Sequence, residues 1–227
     1  TGLTGTLTLG SSLQTIGAGA FYDCSFSGNL VIPDSVTSIG RYAFYSRPYL
    51  RPETQGTLTL GRNLRTIGEF AFLESRYTGS LTIPDSVVEI GERAFYQCEN
   101  LNGTLTLGRS LRTIGKEAFY WCAFTGSLTI PEGVAEIADG AFSSLHQFNR
   151  DGMFNGTLTL PSTLKTIGAE AFAYTDFSGE LLIPDGVTSI GDYAFYGCAG
   201  LTSISIPEGV TSIGDWAFGG GIRVLSV

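Results

Sequence analysis

The chain is 227 residues long, 43% hydrophobic and 12% aromatic, and its 21 Asp and Glu outnumber 13 Lys and Arg to give a net charge of -8. That balance argues against a nucleic-acid partner, which needs clustered positive charge. No apolar run approaches the roughly 18 residues that span a bilayer, so this segment is not expected to insert in a membrane.

The first residues, TGLTGTLTLG, hold neither a signal peptide nor an initiator Met. They open in mid-phrase, with Gly5 already starting a complete repeat, so the chain reads as a fragment or processed form of a longer polypeptide. From there a seventeen-residue phrase recurs nine times, with copies beginning near residues 5, 28, 56, 79, 103, 126, 156, 179 and 202. Its Ala-Phe ending sets the register at Phe21, Phe44, Phe72, Phe95, Phe119, Phe142, Phe172, Phe195 and Phe218. Successive spacings are 23, 28, 23, 24, 23, 30, 23 and 23, so the unit is 23 residues with three insertions. That period falls in the leucine-rich window of solenoid proteins.

In the copy from Gly156 to Phe172, Leu158 and Leu160 alternate with Thr157 and Thr159, the period-two mark of a strand with one buried face. Pro161 stops the strand; other copies have Pro33, Pro84, Pro131, Pro184 and Pro207 there, or Gly10, Gly61 and Gly108. A second extended piece, Lys165 to Ile167, ends at Gly168, and the following Ala-Glu-Ala-Phe has the composition of a single helical or 3-10 turn. No two-residue hairpin joins these pieces, so like strands of successive copies stack in parallel. One copy cannot bury its own Leu and Phe face, whereas stacking buries a continuous ladder.

The expected fold is a mainly β leucine-rich repeat solenoid of nine rungs, a single domain over 1–227 with 222–227 as a terminal strand. At a strand spacing of about 4.8 Å the body is about 40 Å long. Odd copies one to seven read GTLTL, whereas even copies use Ile-Pro-Asp/Glu and Val, so the unit reads as a pair of rungs until copies eight and nine, both of the even type. After the first turn the charges run Asp34, Arg62, Asp85, Arg109, Glu132, then Ser162, Asp185 and Glu208. Opposite charges thus meet on neighbouring rungs and set register, each exposed pair being worth at most about 1 kcal/mol.

The segment LLIPDGVTSIGDYAFYGC, Leu181 to Cys198, carries Ile-Pro, Ile-Gly and Ala-Phe at fixed offsets and resembles the BspA-like leucine-rich repeats of bacterial surface proteins. The likeness covers essentially the whole chain. It implies a secreted or cell-surface, non-catalytic recognition module, some members being adhesins for host proteins. It supplies no catalytic residue and no cofactor.

The outward positions of the first strand, Thr59, Thr82, Thr106, Thr129 and Thr159 together with Thr8, Val31, Leu182 and Ser205, form an uncharged stripe. In a leucine-rich solenoid this strand lines the concave face, where ligands bind; the alternative is β propensity alone, since Thr stacks well across strands. Thr-Leu-Thr at 6–8, 57–59, 104–106 and 157–159 adds ice binding as a further reading, interrupted by Asn29 with Val31 and by Glu180 with Leu182. Two insertions, YSRPYLRPETQ at 45–55 and SSLHQFNRDGMFN at 143–155, are more distinctive. Tyr45, Arg47, Tyr49 and Arg51 in the first, and His146, Phe148, Arg150 and Met153 in the second, include the aromatic and Arg types favoured at interface centres. Both enter at the same point of the repeat, so they bulge from one edge roughly 19 Å apart. Tolerated loop growth is the alternative.

His146 lies near Ser143, Ser144 and Asp151, yet no strained G-x-S-x-G turn accompanies them, and one His with scattered carboxylates makes no zinc set. Cys24, Cys98, Cys122 and Cys198 each follow a repeat Phe by three residues, which points to packing. Only Cys98 and Cys122 fall on adjacent copies, so a bridge between them is the alternative to buried thiols. The resulting expectation is a monomeric module that binds a host protein or glycan, with a structural spacer as the alternative.

Overall fold

In a computed structural model the described residues are 3–47, 56–144 and 153–221. They are mainly β, built from short parallel strands, with no helix among the described residues. One ladder comes from the residues before each Ile-Gly step. Thr15–Ile16, Ser38–Ile39, Thr66–Ile67, Glu89–Ile90 and Thr113–Ile114 form five parallel strands, and Glu136–Ile137, Thr166–Ile167, Ser189–Ile190 and Ser212–Ile213 form four more.

The Leu-Thr strands pair only in twos: Leu30–Val31 with Leu58–Thr59, Leu81–Thr82 with Leu105–Thr106, Leu128–Thr129 with Leu158–Thr159, and Gly179–Leu182 with Leu201–Ser205. Each pair joins an even copy to the one after it. Side chains of the even copy fasten the joint. Asp34 accepts from the Arg62 amide at 2.9 Å and meets its guanidinium at 3.0 Å, and Asp85 does the same for Arg109 at 3.1 Å each. Glu132 takes the Ser162 amide at 3.0 Å and its hydroxyl at 2.9 Å. Asn29, Ser80 and Ser127 accept from the amides of Thr57, Thr104 and Thr157 at 2.9, 3.0 and 2.9 Å. The alternating charges therefore act through backbone amides as well as through ion pairing. A Cβ at Gly108 would collide with the carbonyl of Pro84, so Gly there permits close approach as well as marking a turn.

The Ala-Phe segment is not the helical turn its composition predicts. Ala20, Tyr22 and Cys24 donate to Gly17, Gly19 and Phe21, three residues back, while Gly19, Phe21 and Asp23 donate to Arg41, Ala43 and Tyr45 of the next copy. A helix would use every amide locally, and here the stack takes every second one. The backbone becomes left-handed two residues before and two after the repeat Phe, with φ of 53° at Glu170 and 57° at Tyr174. Such a conformation costs about 1–2 kcal/mol for a residue with a Cβ. Copies two and six lack the second left-handed residue; Ser46 and Ser144 stand there, both buried, and both insertions leave from this point.

Inside, the repeat phenylalanines from Phe44 to Phe218 stack with centroids 5.1–5.5 Å apart. Both strand ladders break together between copies five and six. A Cβ on Gly115 would meet the Glu92 nitrogen at 2.5 Å, so the residue after Ile must be Gly for neighbouring copies to touch. Copy six has Ala138 at that place, and its methyl group holds Glu136–Ile137 off Thr113–Ile114. Arg112 fills the opening, its Nη1 donating to the carbonyls of Leu111 at 2.9 Å and Glu132 at 3.2 Å.

Candidate functional site

Along the first strand Thr59, Thr82, Thr106, Thr129 and Thr159 are exposed, while Leu58, Leu81, Leu105, Leu128 and Leu158 beside them are buried. Pairing in twos makes this face uneven. Between copies three and four no hydrogen bond joins the Leu58 or Leu60 N–H to the facing Leu81–Thr82 strand, and a groove of about 570 Å³ opens. Leu58 and Leu60 give it an apolar floor; Thr57, Thr59, Ser80 and Thr82 supply hydroxyls, and Arg62 and Asp85 put opposite charges at its margin. The Leu-Thr strands are likewise unpaired between copies five and six and between seven and eight. The Thr ranks are interrupted by Val31 and Leu182, which are 56% and 60% exposed.

Among the insertion residues, Tyr49, Arg51, His146, Phe148 and Arg150 lie outside the described residues. Tyr45 is half-buried, with its ring 5.3 Å from Tyr22 and 5.9 Å from Tyr42. Arg47 reaches back to Asp23, Nε to Oδ2 at 3.0 Å, with its guanidinium 6.0 Å from the Tyr22 ring. Met153 departs from the interface role expected of it. It is 9% exposed, its carbonyl accepts from the Asp176 amide at 2.8 Å, and Phe154 next to it packs between Phe124 and Phe177. The second insertion thus re-enters the core through Met153 and Phe154, and apolar burial decides their place. Ser143 and Ser144 are buried too, Ser143 giving its hydroxyl to the Ala173 carbonyl at 3.4 Å, so neither presents a nucleophile to solvent.

The cysteines are unbridged. Cys98, Cys122 and Cys198 are buried, and each donates to the repeat Phe carbonyl one copy earlier: Phe72 at 3.2 Å, Phe95 at 3.1 Å and Phe172 at 3.2 Å. Ser75 and Thr175 occupy the same position in their copies and meet the sulfurs of Cys98 and Cys198 at 3.2 and 3.3 Å. The place calls for a small donor, which Cys, Ser and Thr all supply. Burial pushes the Cys198 thiol up to about 12 and raises Cys122 strongly as well, so both are neutral, inert thiols. Among the described residues, no three His, Cys, Asp or Glu side chains converge to hold a metal, and no helix is long and apolar enough to cross a membrane.

A family model described as the BspA type leucine-rich repeat region matches residues 3–55, 51–151 and 147–224, with six copies. A leucine-rich repeat protein from Bacteroides ovatus has a similar structure, with a TM-score of 0.57 and 23% identity over 92% of this chain and 62% of that one. This chain therefore spans less than two thirds of that protein's length. A T. pallidum leucine-rich repeat protein gives 0.44 at 22% identity over 94% of this chain and 73% of its own, and a leucine-rich cell surface protein from Faecalibacterium prausnitzii gives 0.33 at 21% identity over 95% and 84%. No curated protein matches the sequence. Stacked parallel strands, the Ile-Gly contact, the phenylalanine ladder and the family match along the chain together identify it as a member of the BspA-type leucine-rich repeat family.

Proposed function

We propose that the chain is a non-catalytic recognition module of a secreted or surface-displayed bacterial protein, and that it adheres as a monomer to a host protein or glycan. The observation that carries this reading is the groove between copies three and four. It combines an apolar floor, a row of hydroxyls and backbone amides with no partner across it, which is the mixture a polar, extended ligand needs. The turn edge from which the insertions leave is a second candidate surface, with Tyr45 and Arg47 on it and Tyr49, Arg51, His146, Phe148 and Arg150 completing the candidate contact set. Family membership supports the surface location.

The test is a binding screen against host matrix proteins and glycans with three proteins: the parent, a variant with both insertions shortened to the regular spacing, and the Thr59→Glu, Thr82→Glu double variant. Loss on shortening assigns recognition to the insertions, and loss in the double variant assigns it to the groove. No binding by the parent contradicts the proposal and leaves the structural spacer, a reading the unbroken phenylalanine stack supports through its stiffness.

A further inference from the structure

The edge formed by the Ala-Phe turns carries its own pattern, apart from the Thr-lined face. Two residues before the repeat Phe stand Tyr42, Phe70, Arg93 and Glu117 in copies two to five. These side chains cover one another. Tyr42 and Phe70 stack at 4.6 Å, and the Arg41 guanidinium lies 5.0 and 5.5 Å from their centroids. Arg93 follows, 5.9 Å from Phe70 and 5.5 Å from Tyr96, with Nε 2.7 Å from Glu117 Oε2. Tyr96 then stacks on Tyr120 at 5.1 Å, nearly parallel at 9°.

At copy six the cover stops. Gly140, with φ of 61°, replaces the outward side chain, and Ser143 stands where Tyr96 and Tyr120 stand in their copies. A Cβ on Gly140 would lie 3.0 Å from Glu117 Cγ and 3.5 Å from Tyr120 Cδ2, so the missing side chain would have rested on those two groups. Its place is a notch of about 330 Å³, with Glu117 and Tyr120 on one side and Glu170 of copy seven on the other. The Tyr120 hydroxyl is pushed up to about 12, by burial first and then by neighbours that include Glu170 and Glu117, so both carboxylates lie near the ring. Within the notch Arg93 is paired with Glu117, and Lys116 stands 3.8 Å from Asp139. Glu170 has no ion-pair partner among the described residues and leaves one negative charge in excess.

We propose that this notch receives one arginine side chain of a protein partner, its guanidinium stacked on the open face of Tyr120 and paired with the Glu170 carboxylate. The chain already solves the same problem two copies earlier, where Arg93 sits on Tyr96 and pairs with Glu117. A planar guanidinium satisfies ring and carboxylate together, which a compact ammonium does less well. The net charge of -8 favours such a partner at long range. The site lies on the turn edge, so it stands or falls separately from the Thr-lined face.

The probe is N-acetyl-arginine methylamide, titrated against the full chain with ring-labelled tyrosine and followed by NMR. Its neutral isostere, the citrulline derivative, is run in parallel. The expected result is a saturable shift of the Tyr120 ring with arginine and none with citrulline. Glu170→Gln should weaken it about threefold to fivefold, and Tyr120→Leu should remove the shifts that arginine induces in neighbouring tyrosines. Glu170 is exposed, so its variant folds, and circular dichroism checks both. No saturable shift, an equal response to citrulline, or an unchanged response in Glu170→Gln overturns the proposal.

Discussion

The junction between copies four and five and the junction between copies five and six are built from nearly the same sequence, yet they are held very differently. At the first, Leu81–Thr82 pairs with Leu105–Thr106, Glu89–Ile90 pairs with Thr113–Ile114, Asp85 clamps Arg109, and Tyr96 stacks on Tyr120. At the second both strand ladders are open. Glu117, Phe119 and Trp121 still donate to Asp139, Ala141 and Ser143, and Phe119 still stacks on Phe142 at 5.5 Å. The shared phenylalanine core holds the array together, while polar side chains and single methyl groups decide how tightly each neighbour is joined. An array of nearest-neighbour contacts can hold a weak joint without losing its fold.

The largest effect tests the core that both junctions share. Leu105→Asp places an unpaired charge in it and should destabilise the chain by more than about 4 kcal/mol in urea unfolding, whereas Thr106→Asp, one residue away on the exposed side, should stay within about 0.5 kcal/mol. Similar effects would mean that the two faces are reversed. Ala138→Gly should tighten the open junction. It removes the methyl that blocks two ladder bonds, each worth about 1 kcal/mol, against a glycine penalty of about 0.5–1 kcal/mol. The midpoint temperature should rise, and a fall would show that the methyl is not what separates the strands.

Smaller changes separate clamped pairs from unclamped ones. Asp85→Ala loses a bond from the Arg109 amide and its ion pair, and should cost about 1 kcal/mol. Asp185→Ala should be nearly neutral, because Glu208 faces it in the next copy and supplies no cation. Equal costs would remove the clamp from the account. Last comes Glu132, whose carboxyl is held below its ordinary value of 4.5 by the amide and hydroxyl of Ser162. A lowered carboxyl stabilises the fold above its unfolded value and loses that contribution as pH falls below about 4.5. Stability measured from pH 6 to pH 3 should therefore fall slightly more in the parent than in Glu132→Gln.

Much of the fold could be read because the repeat writes the same rule many times. Leu158 beside Thr159 gives inside and outside by period two, and Phe172 gives the stacked core. The turn after Gly168 could not be read the same way. Ala-Glu-Ala-Phe has helical composition, but the neighbouring copy offers carbonyls at strand spacing, and half the amides take them. The gain comes from a partner that local propensity does not see. The pairing of copies showed in the alternation of Asp34, Arg62, Asp85 and Arg109, while the break at Ala138 hung on a single methyl among matching glycines. Of the site, the insertions stood out by spacing alone, yet Met153 was placed by the core beneath it. The Gly140 notch becomes visible only when the residues two before each Phe are set side by side.

Copies are joined in pairs along the Leu-Thr strands, and native-state hydrogen exchange measures that pairing residue by residue. The amides of Leu81 and Ile83, bonded to Thr104 and Thr106 at 2.9 and 2.8 Å, should exchange slowly, whereas those of Leu105 and Leu107, which face the open junction, should exchange faster by on the order of a hundredfold. The same alternation should recur for Leu30 and Ile32 against Leu58 and Leu60. Uniform protection along all these strands would contradict the paired architecture and close the groove on which the recognition reading stands.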